Sequence, residues 1–341
     1  MNIIRQLFDE QYVKQLFQEK VLPLYPDFVD IKRIKISAPK EHIWEKTYHV
    51  VIEFKTVFVN RKNKLKTLPI YCSAHSEEPR ENVFKVLKFL WESNYCSGYL
   101  TVPHPLFYSD YFKGTFYRGV KGNHLYKYIR DKKYDTIEDI IPKAAAWFAK
   151  LHNLPTDKAE NFNVENSRIR TVIPGVDHLL ARIKHDYQKY SRFFQNFFDL
   201  VIQKEEAFLA STNQRWLVHG DAHPENIIKM GRKKLAVIDF TDLCLADFAR
   251  DIGAFTQQLE FMCNRKIKDP EYTEKLKKIF YDSYYINIKT NVDDEVLERI
   301  DYYYHWTAMR TATFFLLKDN PEPERAKPLI KMVSKKLNIS L

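Results

Sequence analysis

Glycine is scarce in this chain, at 8 of 341 residues, which leaves little material for glycine-rich loops that bring backbone amides close to phosphate. Cysteine is as thin. Cys72, Cys96, Cys244 and Cys263 stand apart with no CxxC spacing, the pattern of a reduced, cytoplasmic protein rather than a disulfide scaffold. Long apolar runs are missing too: none approaches the length of a membrane span. The opening MNIIRQLFDEQ has acidic residues and no sustained apolar stretch, so no signal peptide is visible.

What is present fits a folded enzyme. Apolar residues make up 45% of the chain, with 24 Phe and 21 Tyr, which excludes disorder and permits a filled interior. The length suits two lobes of one enzyme better than a single small core. A formal net charge of +10 invites a nucleic-acid partner. Yet the basic residues are dispersed, as at 127–133, 275–278 and 331–336, and no nucleic-acid module is legible among them. Neither nucleic acid nor membrane is expected as a partner.

Residues 3–22 carry helical apolar spacing. Strand-like runs follow at 29–37, 48–60 and 67–75, then a helix over 80–93 and strands near 99–108 and 113–120. Three strands, a helix and two more strands is the order of a kinase N-lobe. From residue 125 the pattern turns helical, at 124–132, 137–152, 175–212, 247–263, 270–288, 292–318 and 323–338. The reading is therefore α+β and bilobal, protein-kinase-like. An N-lobe at 1–116 has an antiparallel sheet plus a helix. Residues 117–122 lead to a mostly helical C-lobe at 123–341 that contains a β-hairpin.

The stretch 216–253 carries the chemistry. Asp221, Asn226 and Asp239 stand in the order a phosphoryl-transfer site needs: a carboxylate for the attacking hydroxyl, then an amide and a carboxylate for Mg²⁺. Asp221 and Asn226 are five residues apart. Gly231 separates two strand-like runs, 226–230 and 235–238, and this hairpin is expected to return Asp239 beside that loop. Mg²⁺ prefers hard oxygen ligands and keeps several waters, so one carboxylate and one amide oxygen suffice alongside ATP phosphates. A rival reading takes His219, Asp221 and His223 as Zn²⁺ ligands; it leaves Asn226 and the hairpin to Asp239 without a purpose.

His219-Gly220-Asp221-Ala222-His223-Pro224-Glu225-Asn226 followed by Ile238-Asp239-Phe240 resembles the aminoglycoside phosphotransferase and choline kinase superfamily. Residues 246–252 are similar to that family's GDPxxDLA segment, with Ala246 and Phe248 in place of Gly and Pro, and 145–155 to its helix ending in an LHxLP turn. The resemblance implies an ATP- and Mg²⁺-dependent O-phosphotransferase acting on a small hydroxylated molecule such as an aminoglycoside, amino alcohol or sugar. It implies that Asp221 orients and deprotonates the hydroxyl, that Asn226 and Asp239 bind the metal, and that Asp247 and Asp251 are scaffold carboxylates. It also places the adenine-binding hinge at Tyr117–Gly122, with Arg118 and Val120 against the base.

The chain departs from the pattern in its first half. Kinase-like enzymes carry a Lys on the third strand, paired with a Glu on the next helix. Here that strand reads Leu68-Pro69-Ile70-Tyr71-Cys72-Ser73-Ala74-His75, although Glu81 remains as a would-be partner. Lys55 on the second strand is the first candidate for a substitute cation and His75 a weaker one. The loop expected at 38–47 has no glycine. These departures favour a catalytically weak pseudokinase as the alternative; the complete Asp221/Asn226/Asp239 set argues against it. A protein kinase fits least, because only eleven residues separate Asp239 from Asp251, too few for an activation segment. For the acceptor, Asp301–Thr307 is rich in aromatics that suit a quaternary ammonium, and 293–298 is acidic enough to suit an aminoglycoside. The helical spacing of the aromatics favours core packing, and an acidic run at a helix start favours a solvated first turn.

Overall fold

The structure is a computed structural model that describes residues 2–157 and 159–341. It divides into two compact units: residues 1–123 with 228–241, and residues 124–227 with 242–341.

The first unit is built on an antiparallel sheet ordered β1-β2-β3-β6-β5. Its long strands are β1 (Phe28–Ile43), β2 (Tyr48–Asn60) and β3 (Leu65–His75). After β4 (Leu100–Thr101) come β5 (His104–Ser109) and β6 (Gly114–Arg118). Alternation sets the faces. Val50, Ile52 and Phe54 on β2, with Ile70, Cys72 and Ala74 on β3, are buried against α1 (Glu10–Lys20). Asp9 caps that helix by accepting from the Tyr12 amide at 2.9 Å. Phe17 of α1 meets the rings of Phe54 at 5.2 Å and Phe116 at 6.2 Å; its complete burial contributes on the order of 2–3 kcal/mol. The helix α2 (Glu81–Leu90) follows β3.

β1 extends six residues past its expected end, because after a bulge at 38–39 residues 40–43 pair with 48–51 across the ladder. The expected loop at 38–47 is therefore only a tight turn, closed by the Trp44 amide donating to the Thr47 carbonyl at 2.9 Å.

A second sheet, ordered β4-β10-β9-β7, contains the hairpin of β9 (Ile227–Met230) and β10 (Lys234–Val237), with β7 at Asn123–His124. The expected turn at Gly231 is present, with φ of 64°. The expected division was 1–116, 117–122 and 123–341. The hairpin, expected in the C-lobe, belongs to the first unit because β10 pairs in parallel with β4 (Leu235 with Leu100, Ala236 with Thr101). Gly122 permits the close pass of the chain here: a Cβ on it would lie 2.1 Å from the Lys229 carbonyl oxygen.

The second unit is helical. It comprises α3 (Leu125–Arg130), α4 (Tyr134–His152), α5 (Val176–Asp186), α6 (Ser191–Ser211), α7 (Ala249–Lys266), α8 (Pro270–Asn287), α9 (Asp294–Leu317) and α10 (Pro323–Leu337). The single helix expected at 175–212 is two, broken at 187–190. A two-stranded ladder of β8 (Trp216–Val218) and β11 (Cys244–Ala246) enters the site. α7 and α9 approach so closely that a Cβ on Gly253 would meet the Ile300 carbonyl oxygen at 2.6 Å. Tyr302, Tyr303, Trp306 and Met309 of α9 are buried, so the aromatic segment is core. Asp293 caps α9 by accepting from the Val296 amide at 3.0 Å, and the acidic run is its exposed first turn.

Candidate active site

In the second unit, the apolar β8 runs into His219-Gly220-Asp221, and one buried carboxylate fixes the turn. Asp251, at the start of α7, accepts from the His219 amide at 2.6 Å and the Gly220 amide at 3.0 Å. Its Oδ2 also lies 3.1 Å from His152 Nε2, and His152 Nδ1 lies 2.7 Å from the Tyr284 hydroxyl. Burial opposes the charge on Asp251, but the His152 hydrogen bond and charge, with the His219 contacts, outweigh it and hold the carboxyl below its ordinary range. Asp247 is likewise buried, accepting from the Ala249 amide at 3.1 Å and from Arg299 Nε at 2.8 Å. Arg250 ties the loop from the other side, donating to the carbonyls of Asn166 and Gly220.

Gly220 has φ of 82°, and a Cβ there would sit 2.4 Å from the Asp242 carbonyl oxygen. Both conditions demand glycine. Gly220→Ala is therefore expected to cost about 1–3 kcal/mol, read as a lower melting temperature; an unchanged melting curve would show that the turn relaxes freely.

Asp221 stands at the end of this turn, half-buried. Its Oδ2 is 3.2 Å from His223 Nε2, and His223 Nδ1 accepts from the Glu225 amide at 3.2 Å, which puts the ring proton on Nε2, facing Asp221. Asn226 Nδ2 donates to the Asp221 carbonyl at 3.0 Å and lies 3.4 Å from its carboxylate. Burial opposes ionisation, but the His223 hydrogen bond and the charges of His223, Arg310 and His219 win, so Asp221 is held well below the usual carboxylate range. The carboxylate borders a cavity of about 550 Å³ between the loop and α7, α9 and α10. With its amide nitrogen committed to Asp221, Asn226 has its Oδ1 left as a hard oxygen donor. Among the described residues no three His, Cys, Asp or Glu side chains converge on a metal position, so His219, Asp221 and His223 do not form a zinc cluster. His219 is buried, with Nδ1 3.3 Å from the Asp221 amide.

In the first unit, Asp239 follows β10 with φ of 66°, a conformation Asp tolerates and one found at functional sites. Its Oδ1 accepts from the Thr241 hydroxyl at 3.0 Å. Its charge reaches Lys40, one of a cluster of basic side chains. Lys40 Nζ lies 3.0 Å from His49 Nε2, Arg80 approaches the same nitrogen at 3.5 Å, and the His49 and His75 rings are 4.5 Å apart. Burial and then Lys40, His75 and Arg80 push His49 down to about 4, so the neutral ring accepts from these cations. Lys40 is itself pushed down by burial and by Arg80, against opposing pulls from Asp239 and Glu78.

The other expected residues lie elsewhere in this unit. Lys55 is exposed on β2, opposite Lys35 and Pro69. It shares a face with His49 but is six residues along the strand, roughly 20 Å away. Glu81 is exposed on α2 and pairs with Lys85 at 3.3 Å, whereas Arg80 pairs with Glu78 at 3.5 Å. Arg118 ends β6 with its guanidinium 5.8 Å from the Tyr25 ring centre. The Gly119 amide is spent on the Pro69 carbonyl at 2.9 Å, while Val120 next to it makes no hydrogen bond among the described residues. Residues 38–43 carry no strand signal of their own; pairing of 40–43 with β2 makes them strand and brings Lys40 to His49.

The antiparallel sheet, the helical second unit and this loop define a kinase-like phosphotransferase. The chain belongs to the APH family, the phosphotransferase enzyme family, whose model matches residues 49–266. No curated protein matches the chain. Among solved structures, the ethanolamine kinase of Plasmodium vivax is 15% identical with a TM-score of 0.54, covering 88% of this chain and 81% of that one. Amicoumacin kinase hAmiN, bound to AMP-PNP, Ca²⁺ and Ami, is 13% identical with a TM-score of 0.57, covering 98% and 95%. The streptomycin–ATP complex of APH(2'')-IIa is 13% identical with a TM-score of 0.51, covering 96% and 96%. These likenesses carry the fold.

Proposed function

We propose that this chain transfers the γ-phosphoryl group of ATP to a hydroxyl of a small molecule, with Asp221 as the residue that orients the hydroxyl and takes its proton. The observation that carries the proposal is Asp221 itself: a carboxylate held ionised by His223 and Asn226, on a loop pinned by Asp251, at the edge of a cavity. In the reaction the bond from the acceptor oxygen to phosphorus forms, the bond to the ADP oxygen breaks, and the acceptor proton passes to Asp221. Asn226 Oδ1 and the Asp239 carboxylate are hard oxygen donors that fit Mg²⁺, which when bound neutralises phosphate charge. Relatives in complex with AMP-PNP, or with ATP and streptomycin, support the nucleotide and the small acceptor.

The open Val120 backbone serves the adenine, beside Arg118. For the phosphates, we assign the role of the missing third-strand Lys to Lys40, which feels the charge of Asp239 and shares His49 with Arg80; Lys55 on β2 is the competing assignment, while Glu81 pairs with Lys85. Lys40→Met is expected to weaken ATP binding at least tenfold by calorimetry while Lys55→Met stays within twofold. The opposite ranking would return the role to Lys55.

The direct test is thermal denaturation with ATP and Mg²⁺. A ligand at a hundred times its Kd stabilises by about 2.7 kcal/mol, and a shift together with ATP turnover in a hydroxyl-compound screen is expected. No shift at millimolar nucleotide favours the pseudokinase reading.

A further inference from the structure

The cavity beside Asp221 has two unlike walls. The loop wall brings Asp221, His223 and Glu225; the helical wall, from α7, α9 and α10, brings Arg265, Arg310 and Arg325 and no carboxylate. An acceptor seated with a hydroxyl on Asp221 must lie against that second wall.

The arginines are poorly matched within the protein. Arg310, half-buried, makes no hydrogen bond or ion pair among the described residues. Its guanidinium stands 5.0 Å from the Trp306 ring centre, as does that of Arg250. Arg250 donates from both terminal nitrogens to the Asn166 and Gly220 carbonyls, leaving only its Nε unpartnered, whereas none of the five donors of Arg310 makes a hydrogen bond among the described residues. Arg310 is near enough to Asp221 and Asp242 to feel their charges, yet forms a salt bridge with neither. Arg265 also lacks an ion pair among the described residues and lies 5.6 Å from the Phe261 ring centre. Arg325 gives one nitrogen to Glu322 at 2.6 Å and rests 3.8 Å over Phe315, but its buried Nε has no partner. Guanidinium groups held on aromatic faces with free donors present a fork suited to planar oxyanions. A cationic amino alcohol or aminoglycoside would meet like charge on this wall, which costs affinity.

We infer, on the reading of this chain as a small-molecule phosphotransferase, that its acceptor carries an oxyanion, a carboxylate or phosphate ester, gripped by Arg310 with Arg265 and Arg325 while its hydroxyl faces Asp221. The exposed Phe314 offers an apolar platform between these groups. Arg310 is thus a specificity-determining residue, and the acceptor differs in charge from the ethanolamine of the Plasmodium vivax kinase and the streptomycin bound to APH(2'')-IIa.

The test uses one polyol skeleton with different end groups: D-gluconate and D-glucitol 6-phosphate as the two anions, D-glucitol as neutral, D-glucamine as cation. Each is titrated into the full chain by calorimetry with ADP and Mg²⁺ present. At least one anion is expected to bind tenfold or more tightly than D-glucitol, with D-glucamine weakest; which anion wins assigns carboxylate or phosphate ester. In Arg310→Gln the preference for that anion over D-glucitol should fall to within threefold, and Arg310→Lys should restore part of it. Should Arg310→Gln not fold, the wild type still answers, since added salt must weaken the anion and leave D-glucitol unchanged. D-glucamine binding as tightly as the anions, undetectable anion binding, or a salt-independent anion affinity overturns the inference. The ATP–Mg²⁺ thermal shift of the same sample is read first, so loss of the kinase reading is separable from loss of this one.

Discussion

Asp221→Asn is expected to lower ATP-dependent phosphorylation of an acceptor by roughly 10²–10⁴-fold while the ATP–Mg²⁺ affinity stays within a few-fold. Asparagine keeps the shape and can still accept from His223 Nε2, but it cannot take the hydroxyl proton. The transition state for phosphoryl transfer is loose, so orientation of the hydroxyl supplies part of the effect; the Asn variant therefore retains some turnover rather than none. Single-turnover kinetics separates the two contributions. Equal losses in nucleotide binding and turnover would instead identify Asp221 as a structural carboxylate of the loop.

The electrostatics of Asp221 give this variant a pH signature. Its folded-state pKa is depressed, so its contribution to stability is present above the ordinary carboxylate value near 3.9 and is lost as pH falls below it. The group stays ionised throughout the neutral range. A fall in activity between pH 7 and pH 5 must then come from another group, and the Asn variant should show a shallower loss of stability on the acid side than the wild type.

The loop proposed for this chemistry was legible because its residues are consecutive and its spacing is local. Asp221, Asn226 and the turn at Gly231 could be read from order alone, and so could the helices that carry strong periodicity. The groups proposed to face phosphate and acceptor were less legible. Lys40 and His49 meet across a ladder whose existence depends on 40–43 pairing with 48–51, a non-local event that no window of sequence contains. Arg265, Arg310 and Arg325 sit on three helices and converge only through the packing of α7, α9 and α10. In sequence each is one more basic residue among 54. The aromatic segment 301–307 drew attention by composition, yet helical spacing pointed to its core role, and Tyr302, Tyr303 and Trp306 are buried.

Asp251→Asn carries the largest expected effect on stability. The carboxylate is fully buried and accepts three hydrogen bonds, from the His219 and Gly220 amides and from His152. An asparagine can accept on one oxygen only, and its NH₂ group would face a backbone N–H, two donors without an acceptor. Removing one partner of a buried ionic network costs about 3–5 kcal/mol. At roughly 2–4 °C per kcal/mol for chains of 150–250 residues, and somewhat less for a longer one, the melting temperature should fall by on the order of 10 °C. Tyr284→Phe, which removes only the hydroxyl behind His152, should cost about 1 kcal/mol and so calibrates the comparison. Because the Asp251 pKa is depressed in the folded state, its stabilising effect is present above the ordinary carboxylate range and lost as pH falls through it, and the difference between wild type and variant should shrink in acid. A variant that melts like the wild type but turns over more slowly would make Asp251 a participant in the chemistry. The geometry assigns it instead to holding Gly220 in the left-handed turn on which the position of Asp221 depends.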